Sequence, residues 1–412
     1  MVPKLRFKEF CGEWEEKRLG DVFKFMPTNS FSRNDLNYIE GDIYNIHYGD
    51  VHMIYPTITD AQKETFPYIN REKKLDVCSE LLCEDGDVLL ADASEDYDDI
   101  GKAIEIINVG DKKIVSGLHT IFMKDYKKIY ANKFRGFMMN SNSVRKQIKV
   151  LAAGAKVLGI SKSNIAKVKM PLPSLPEQIK IADFLSTVDD KIQNQQDKIT
   201  HLENIKKGFM QKIFSRKIRF KDDGGEKFPE WEEKKLGNIC KMFSGGTPTS
   251  GKSEYYGVNI NFIRSGEIHL NKTELTLTQL GFDSSSAKLV EIGDILYALY
   301  GATSGEVNIS KINGAINQAI LCIRPDEYYN KKYLAEILNF KKKSILNTYL
   351  QGGQGNLSGE IIKNLKLKFP CLKEQQKIAD FLSSFDEKIS IEKETLEHLK
   401  QLKKGLLQQM FV

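Results

Sequence analysis

The sequence predicts an α+β chain in which two mixed α/β blocks are joined by two long antiparallel coiled-coil-like helices and related by an internal pseudo-twofold repeat. Three observations carry that prediction in the 412 residues. A short tag near the N-terminus returns at mid-chain. A phrase that opens an apolar heptad seam returns near the C-terminus. Between tag and seam lie two long blocks whose β-branched runs are set off by glycines.

The first tag is Glu13-Trp14-Glu15-Glu16-Lys17-Arg18-Leu19-Gly20-Asp21-Val22, with Leu5-Arg6-Phe7-Lys8 upstream. The first block then holds Ile104-Glu105-Ile106-Ile107-Asn108-Val109, bounded by Gly101 and Gly110. It also holds Gly86-Asp87-Val88-Leu89-Leu90, a turn signal opening an apolar run. Pro173 and Pro176 punctuate the entry to the first helix. Counting sevens from Leu185 gives Ile192, Ile199, Lys206 and Ile213, and counting from Ile181 gives Val188, Gln195, Leu202 and Phe209. This is a two-row seam of the kind that packs on another helix.

The second half repeats the order. Glu230-Trp231-Glu232-Glu233-Lys234-Lys235-Leu236-Gly237-Asn238-Ile239 comes after Ile218-Arg219-Phe220-Lys221. Its block holds Val258-Asn259-Ile260-Asn261-Phe262-Ile263 and a second Gly-Asp strand signal, Gly293-Asp294-Ile295-Leu296-Tyr297. Pro370 precedes a seam of Leu382, Ile389, Leu396, Lys403 and Met410 beside Ile378, Phe385, Glu392, Leu399 and Leu406. The polar breaks fall at matched places, Gln195 with Glu392 and Lys206 with Lys403, which suits a device that sets register at some cost in stability. At 1.5 Å per residue, helices of roughly 37 to 40 residues are about 55–60 Å long. The frame divides the chain into 1–170, 171–216, 217–370 and 371–412. Matching frames around blocks that barely match suggest one structural job and two recognition tasks.

Composition excludes several classes. At 41% hydrophobic and 28% charged, the chain is neither disordered nor fibrous. It shows no apolar run of membrane-spanning length and no secretory signal, and its six cysteines are too few for a disulfide scaffold. The expected location is the cytoplasm, with the thiols free. The net charge is +6, of which residues 217–370 supply +4 from 21 basic and 17 acidic side chains. That balance weakly favours a polyanionic partner.

Two chemical signatures need weighing. Gly246-Thr247-Pro248-Thr249-Ser250-Gly251-Lys252-Ser253 formally matches the phosphate-binding loop G-x-x-x-x-G-K-[ST]. That chemistry needs a helix directly after the loop, whereas here a β-rich run, Glu254-Tyr255-Tyr256-Gly257-Val258, comes next. A polar loop able to approach a nucleic-acid backbone is the better reading. Glu84, Asp85, Asp87, Asp92, Glu95, Asp96, Asp98 and Asp99 form an acidic stretch. It could hold a hard cation, but reads more simply as a solvated loop. His47, His52, His119, His201, His269 and His398 show no ligand spacing with cysteines. No catalytic residue, metal or cofactor is expected. The competing reading is a metal- or nucleotide-dependent DNA-processing enzyme.

The positive signal is a mixture suited to a DNA duplex. Phosphates take Lys, Arg and small polar donors, and base edges take Arg, Asn, Gln, Ser and Thr. The second block offers Ser244, Thr247, Thr249, Lys252, Tyr255, Tyr256, Arg264, Tyr300, Thr303, Gln351, Gln354 and Asn356. The first offers Asn29, Ser30, Ser32, Arg33, His47, Tyr48, Ser94 and Lys156. Together with the Trp-Glu-Glu-Lys-x-Leu-Gly tags, Ser244-Gly245-Gly246-Thr247-Pro248, the Gly-Asp strands and Pro-Leu-Pro-Ser-Leu-Pro-Glu-Gln at 171–178, the chain resembles the specificity subunit of type I restriction–modification systems.

The resemblance covers nearly the whole chain. It implies two target-recognition domains, each reading half of a split double-stranded DNA site, and helices that measure the unread spacer. It also implies two methyltransferase subunits and nuclease–translocase subunits as partners, while the lack of a long apolar run leads to the expectation of no membrane partner. The first block departs from the pattern. It lacks Ser-Gly-Gly-Thr-Pro, and 163 residues separate Trp14 from Glu177 against 143 from Trp231 to Glu374.

Overall fold

A computed structural model of the chain describes residues 2–73, 75, 78–154, 156–349 and 356–411. It divides into two compact units, one of residues up to Asp197 with those from Glu394 on, the other of Lys198–Lys393. The two predicted helices are continuous over Leu175–Phe214 and Leu372–Met410. Each unit therefore contains the start of one long helix and the end of the other.

The first unit has a five-stranded sheet in the order Phe23–Met26, Thr120–Asp125, Val88–Ala91, Ala103–Ile107, Ile58–Asp60. Beside it is a four-stranded sheet in the order Ile114–Ser116, Tyr44–Ile46, Tyr68–Ile69, Leu36–Asn37. The second unit has Cys240–Ser244, Ile320–Pro325, Ile295–Ala298, Val307–Ile309 in one sheet and Leu275–Leu277, Tyr256–Ile263, Gly314–Ile316, Lys288–Val290 in the other. Blocks that barely match in sequence thus share one strand plan. In each, the strand opened by Gly-Asp lies between two antiparallel neighbours. In each, a parallel pair joins the second sheet, Tyr44–Ile46 with Ile114–Ser116 and Tyr256–Ile263 with Gly314–Ile316.

The tags explain why the frame is repeated. Glu15–Arg18 pairs antiparallel with Lys169–Leu172, and Glu232–Lys235 pairs with Lys366–Phe369, in each case the strand that leads into the long helix. Behind the strand pair, Glu177 is buried and takes both Nε and Nη2 of Arg6 (2.7 and 2.8 Å) and Nε1 of Trp14 (3.1 Å). Glu374 does the same for Arg219 (3.2 and 2.8 Å) and Trp231 (3.1 Å). The next residue is equally committed. Gln178 accepts from Ala131 N (2.8 Å) and donates to Pro173 O (2.9 Å), while Gln375 accepts from Asn330 N (2.8 Å) and donates to Pro370 O (2.8 Å). Leu5 N donates to Gln409 O (2.9 Å), and the matching bond in the second unit runs from Ile218 N to Lys212 O (3.1 Å).

Within each unit the two helix segments run antiparallel. In the first, Ile181 and Leu185 share a core with Met410, and Asp189 meets Lys403 (2.5 Å). In the second, Phe209 meets Phe381 edge-on, and Lys206 reaches Asp386 (2.7 Å) and Glu336 (2.8 Å). The lysines that break the seam are thus the charged halves of two matched ion pairs. Burial alone would lower Lys206, but Glu336 and Asp386 outweigh it and hold its pKa above the usual lysine value. At the other matched break, Glu392 pairs with Lys198 (2.6 Å).

The Gly-Asp turns are alike in backbone and opposite in electrostatics. Gly86 (φ 90°) and Gly293 (φ 93°) occupy a left-handed region open to glycine. Asp87 accepts from Glu84 N (2.7 Å) and Asp294 from Glu291 N (2.8 Å), closing each turn. Burial would raise Asp294, but two bonds from Arg324 (2.8 and 2.6 Å) hold it below the usual carboxylate range. Asp87 has among the described residues one cation, Lys124 at 3.4 Å, and burial pushes it up to about 6. Its folded state therefore holds a proton that the unfolded chain has lost between about pH 4 and 6, so this contribution to stability is complete below pH 4 and disappears as pH rises through 6. Asp87→Asn, whose amide oxygen still accepts from Glu84 N, is expected to flatten the fall in melting temperature of the first unit across that window. A profile identical to wild type in a pH series of thermal melts would contradict the assignment.

Candidate nucleic-acid interface

In the second unit most of the predicted residues gather at one set of loops. The strand Cys240–Ser244 runs into Gly245 and Gly246, which lie directly against the neighbouring sheet. Thr247 then donates to Gln318 Oε1 (2.6 Å), and Pro248 O accepts from Tyr256 OH (3.0 Å). The backbone turns back on itself at Thr249, whose carbonyl accepts from Lys252 N (3.2 Å). Gln318 sits in the turn before Ile320–Pro325, where Asn317 N donates to Ile263 O and Leu299 N to Ala319 O. That turn brings Ser244 and Thr247 close to Arg264, one residue past Ile263, and to Tyr300, one residue past Leu299. The short turns Ser265–Glu267 and Gly301–Thr303 then pack side by side, placing Thr303 in the same group. Gln351 and Gln354 lie outside the described residues.

The charges in this group differ in availability. Arg264 is held by Glu267 (Nε, 3.1 Å) and by Glu274, and these carboxylates drive its pKa further up. Its charge is already compensated. Lys252 is exposed and donates to Tyr255 OH (3.0 Å), with its ammonium 5.0 Å from that ring's centroid. A phenol leaves the positive charge uncompensated, and the bond to Tyr255 raises the lysine pKa. Lys252→Ala is expected to reduce the slope of log K against log salt by about 1, the loss of one phosphate contact, with little change in melting temperature. An unchanged slope in a salt titration of DNA binding would remove Lys252 from the interface.

The phosphate-loop lookalike leads into a sheet rather than a helix, because Ser253–Tyr255 is one 3₁₀ turn and Tyr256–Ile263 is an eight-residue strand. The acidic stretch is divided by the strand Val88–Ala91. At one end Asp85 accepts from Val109 N and Asp87 from Glu84 N. At the other, Asp92 meets His119 and Asp98 meets Lys149. Among the described residues no three His, Cys, Asp or Glu side chains converge as a metal would require. The six cysteines are free.

In the first unit Asn29, Arg33, His47 and Tyr48 also come together. Asn29 donates to Asn45 Oδ1 (2.7 Å) and to Ser116 O (2.9 Å), fixing the loop after Phe23–Met26. Ser30 is exposed on that loop, and Ser32 opens the turn that presents Arg33. Arg33 makes two bonds to the fully buried Asp50 (2.7 and 3.1 Å). His47 caps the helix Tyr48–Met53 through Gly49 N, and burial with Arg33 nearby lowers its pKa. His47 comes directly after Tyr44–Ile46 as Arg264 does after Tyr256–Ile263, so the two occupy the same place in the strand plan. Lys156 is exposed two residues before Leu158–Gly159, which pairs with Ala93–Ser94.

Sequence reasoning passes over two members of these groups. Gln318 carries no signal beyond its position after an apolar strand, and the His119–Asp92 contact joins residues 27 apart. Comparing the turns that precede Thr120–Asp125 and Ile320–Pro325 would raise both, since Gly117-Leu118-His119 and Asn317-Gln318-Ala319 each set polar side chains between two largely apolar strands.

Two units of one strand plan, each bearing a loop group rich in amide, hydroxyl, imidazole and basic side chains, define a duplicated recognition protein. A match to the family described as type I restriction modification DNA specificity domain covers residues 12–204 and 229–401. The chain belongs to this family of type I restriction–modification specificity proteins, a recognition rather than a catalytic component. It is 25% identical over 421 residues to the putative type I restriction enzyme MjaX specificity subunit of Methanocaldococcus jannaschii, covering 98% of this chain and 94% of that one. The MjaVIII specificity subunit of the same organism is 24% identical over 426 residues, covering 97% and 94%. Among solved structures, a type I restriction–modification S subunit from M. genitalium aligns with a TM-score of 0.57 at 15% identity, covering 100% of this chain and 99% of that one. A chain from a study of type I R-M complex assembly and conformational transition aligns at 0.58 and 16%, covering 97% of both.

Proposed function

We propose that each unit reads one half of a bipartite DNA site, that the long helices set the unread spacer, and that the chain docks two methyltransferase subunits with nuclease–translocase subunits joining the core. In this reading residues 1–170 and 217–370 are the target-recognition domains and 171–216 and 371–412 the spacer helices, acting in the cytoplasm. Among the described residues no helix is long and apolar enough to cross a membrane. The observation that carries the reading is the pair of identical Arg–Trp–Glu latches beneath two different loop groups. A repeated mounting with interchangeable tips is what two separate sequence readings need. The readers proposed are Asn29, Ser30, Arg33, His47, Tyr48 and Lys156 in one domain, with Ser244, Thr247, Thr249, Lys252, Tyr255, Tyr256, Arg264, Tyr300, Thr303, Gln351 and Gln354 in the other.

The test is to map methylated sites in a host expressing the complex, with and without four residues inserted after both Gln195 and Glu392. Four residues add about one turn, roughly 6 Å of helix. That corresponds to one or at most about two base pairs at about 3.4 Å each. Both half-sites are expected to persist with a longer gap. An unchanged gap in a complex that still assembles would defeat the spacer role, and a wild-type complex with no two-part motif would defeat the whole reading.

A further inference from the structure

The turn Gly117–His119 of the first unit is built for one side chain. His119 has φ of 53°, a left-handed conformation uncommon outside glycine. Such strain persists where neighbouring bonds over-determine it, and it gathers at functional positions. Here Gly117 N donates to Ile46 O (2.8 Å), Tyr48 N to Leu118 O (3.2 Å) and Asp92 N to His119 O (3.0 Å). Gly117 itself fits only without a side chain, because a Cβ would lie 2.7 Å from Ile46 O. The turn is thus clamped to two strands with the imidazole projecting from it.

The ring is fixed as firmly as the backbone. Its Nδ1 lies 3.2 Å from Asp92 Oδ1, and Tyr48 packs edge-on against it at 5.3 Å, itself resting on His47 at 4.6 Å. A carboxylate only accepts, so the neutral imidazole carries its proton on Nδ1 and presents Nε2 as an acceptor. The His119 side chain is 51% exposed, and no partner for Nε2 is found among the described residues. It stands beside His47, the counterpart of Arg264.

We propose that His119, oriented by Asp92, is a specificity-determining residue of the first recognition unit, with Nε2 accepting from the exocyclic amino group of one base in the major groove. The inference rests on the DNA-reading function proposed above and deepens it. Only adenine N6 and cytosine N4 offer that donor in the major groove, whereas guanine and thymine present acceptors at the matching place. Asp92 is the positioning residue. Without it the ring takes either tautomer, and an Nε2–H would meet a keto oxygen equally well.

The test uses the assembled methyltransferase complex and duplexes carrying its mapped site. Replacing, at each first-half position in turn, adenine by purine or cytosine by pyrimidin-2-one removes the amino group alone, and the two substitutions separate the two bases. At one position the wild-type complex is expected to bind roughly 3- to 10-fold more weakly, as for one lost hydrogen bond. His119→Gly, which keeps the backbone unstrained, is expected to be indifferent to the same substitution. Asp92→Ala is expected to admit a keto base at that position, an outcome that mere destabilisation would not produce. A wild-type complex insensitive to amino-group removal throughout the first half-site overturns the inference whatever the variants do. So does a His119→Gly complex that keeps full discrimination there. In either case the two-part motif itself survives, so failure of this inference is distinct from failure of the DNA-reading function.

Discussion

Glu177→Ala is expected to destabilise the first unit by about 3–5 kcal/mol, and Glu374→Ala the second by somewhat less, because each removes one partner of a buried, hydrogen-bonded ion pair. Both carboxylates are inaccessible, and each satisfies a guanidinium and an indole N–H at once. The ranking rests on what the arginine has left. Arg219 keeps Glu230 at 2.9 Å and the carbonyls of Phe228 and Pro229, whereas Arg6 keeps the carbonyls of Cys11 and Gly12 and the face of Trp14 at 6.0 Å. Arg6 is also the less exposed, at 13% of its side chain against 20%. Trp14→Phe isolates the indole bond and is expected to cost about 1 kcal/mol. Denaturant melts of the single variants measure all three. Losses below about 1 kcal/mol for both glutamates, no more than one ordinary hydrogen bond, would show that the latches do not hold the tags.

How much of this can be read from the sequence depends on the distance over which each feature is specified. The long helices are local. Apolar residues every three or four positions, with Pro173 and Pro370 at the entries, are sufficient to place them, and the seam residues Leu185, Ile199, Ile213, Leu382 and Leu396 are buried. The Gly-Asp strands are local too, since a glycine with positive φ and an aspartate closing its own turn need only four residues. The latch is visible only as a repetition. Arg, Trp and Glu recur in order, but their meeting across 171 and 163 residues in one half, and 155 and 143 in the other, is a tertiary fact.

The common strand plan of the two blocks is hidden for a different reason. Sheet cores constrain burial rather than identity, so Val88 and Leu90 stand where Ile295 and Tyr297 stand in the other block, and only Leu89 with Leu296 and Ala91 with Ala298 are unchanged, all eight being buried. Candidate reading residues are recognised in a sequence by type, and type does not report commitment. Asn29 and Arg264 look like base readers, yet their polar atoms are largely taken by Ser116, Asn45, Glu267 and Glu274. Lys252 and His119 keep a functional atom available, and only the partners at each side chain reveal that difference.

The second unit's loop depends on a contact that tolerates no added atom. A Cβ on Gly245 would lie 1.7 Å from Ile316 O, and one on Gly246 would lie 1.9 Å from Ser286 Oγ. The two positions should not respond equally. The Ser286 hydroxyl can rotate aside, and its Cβ (2.9 Å) and carbonyl carbon (3.0 Å) lie in the connection before Lys288–Val290, which need give only a few tenths of an ångström. Ile316 O, by contrast, belongs to the backbone of an interior strand paired on both edges, with Phe262–Ile263 on one side and Lys288–Val290 on the other. That carbonyl cannot retreat without breaking the sheet, so in Gly245→Ala the loop must lift. Lifting separates Thr247 from Gln318, the bond that holds the loop to the turn beside Arg264 and Tyr300, and Pro248 from Tyr256 at the start of the next strand. The overpacking is expected to cost about 1–3 kcal/mol of stability. The larger effect is on recognition, because one misplaced loop removes several candidate readers together. Gly245→Ala is expected to abolish discrimination at the half-site read by the second unit while leaving the other half-site intact, with Gly246→Ala much milder. Binding to duplexes altered in one half-site at a time gives the answer. Full discrimination at both halves in Gly245→Ala would mean that the loop reads nothing, and that recognition by this unit belongs to the proposed readers outside it, Arg264, Tyr300, Thr303, Gln351 and Gln354.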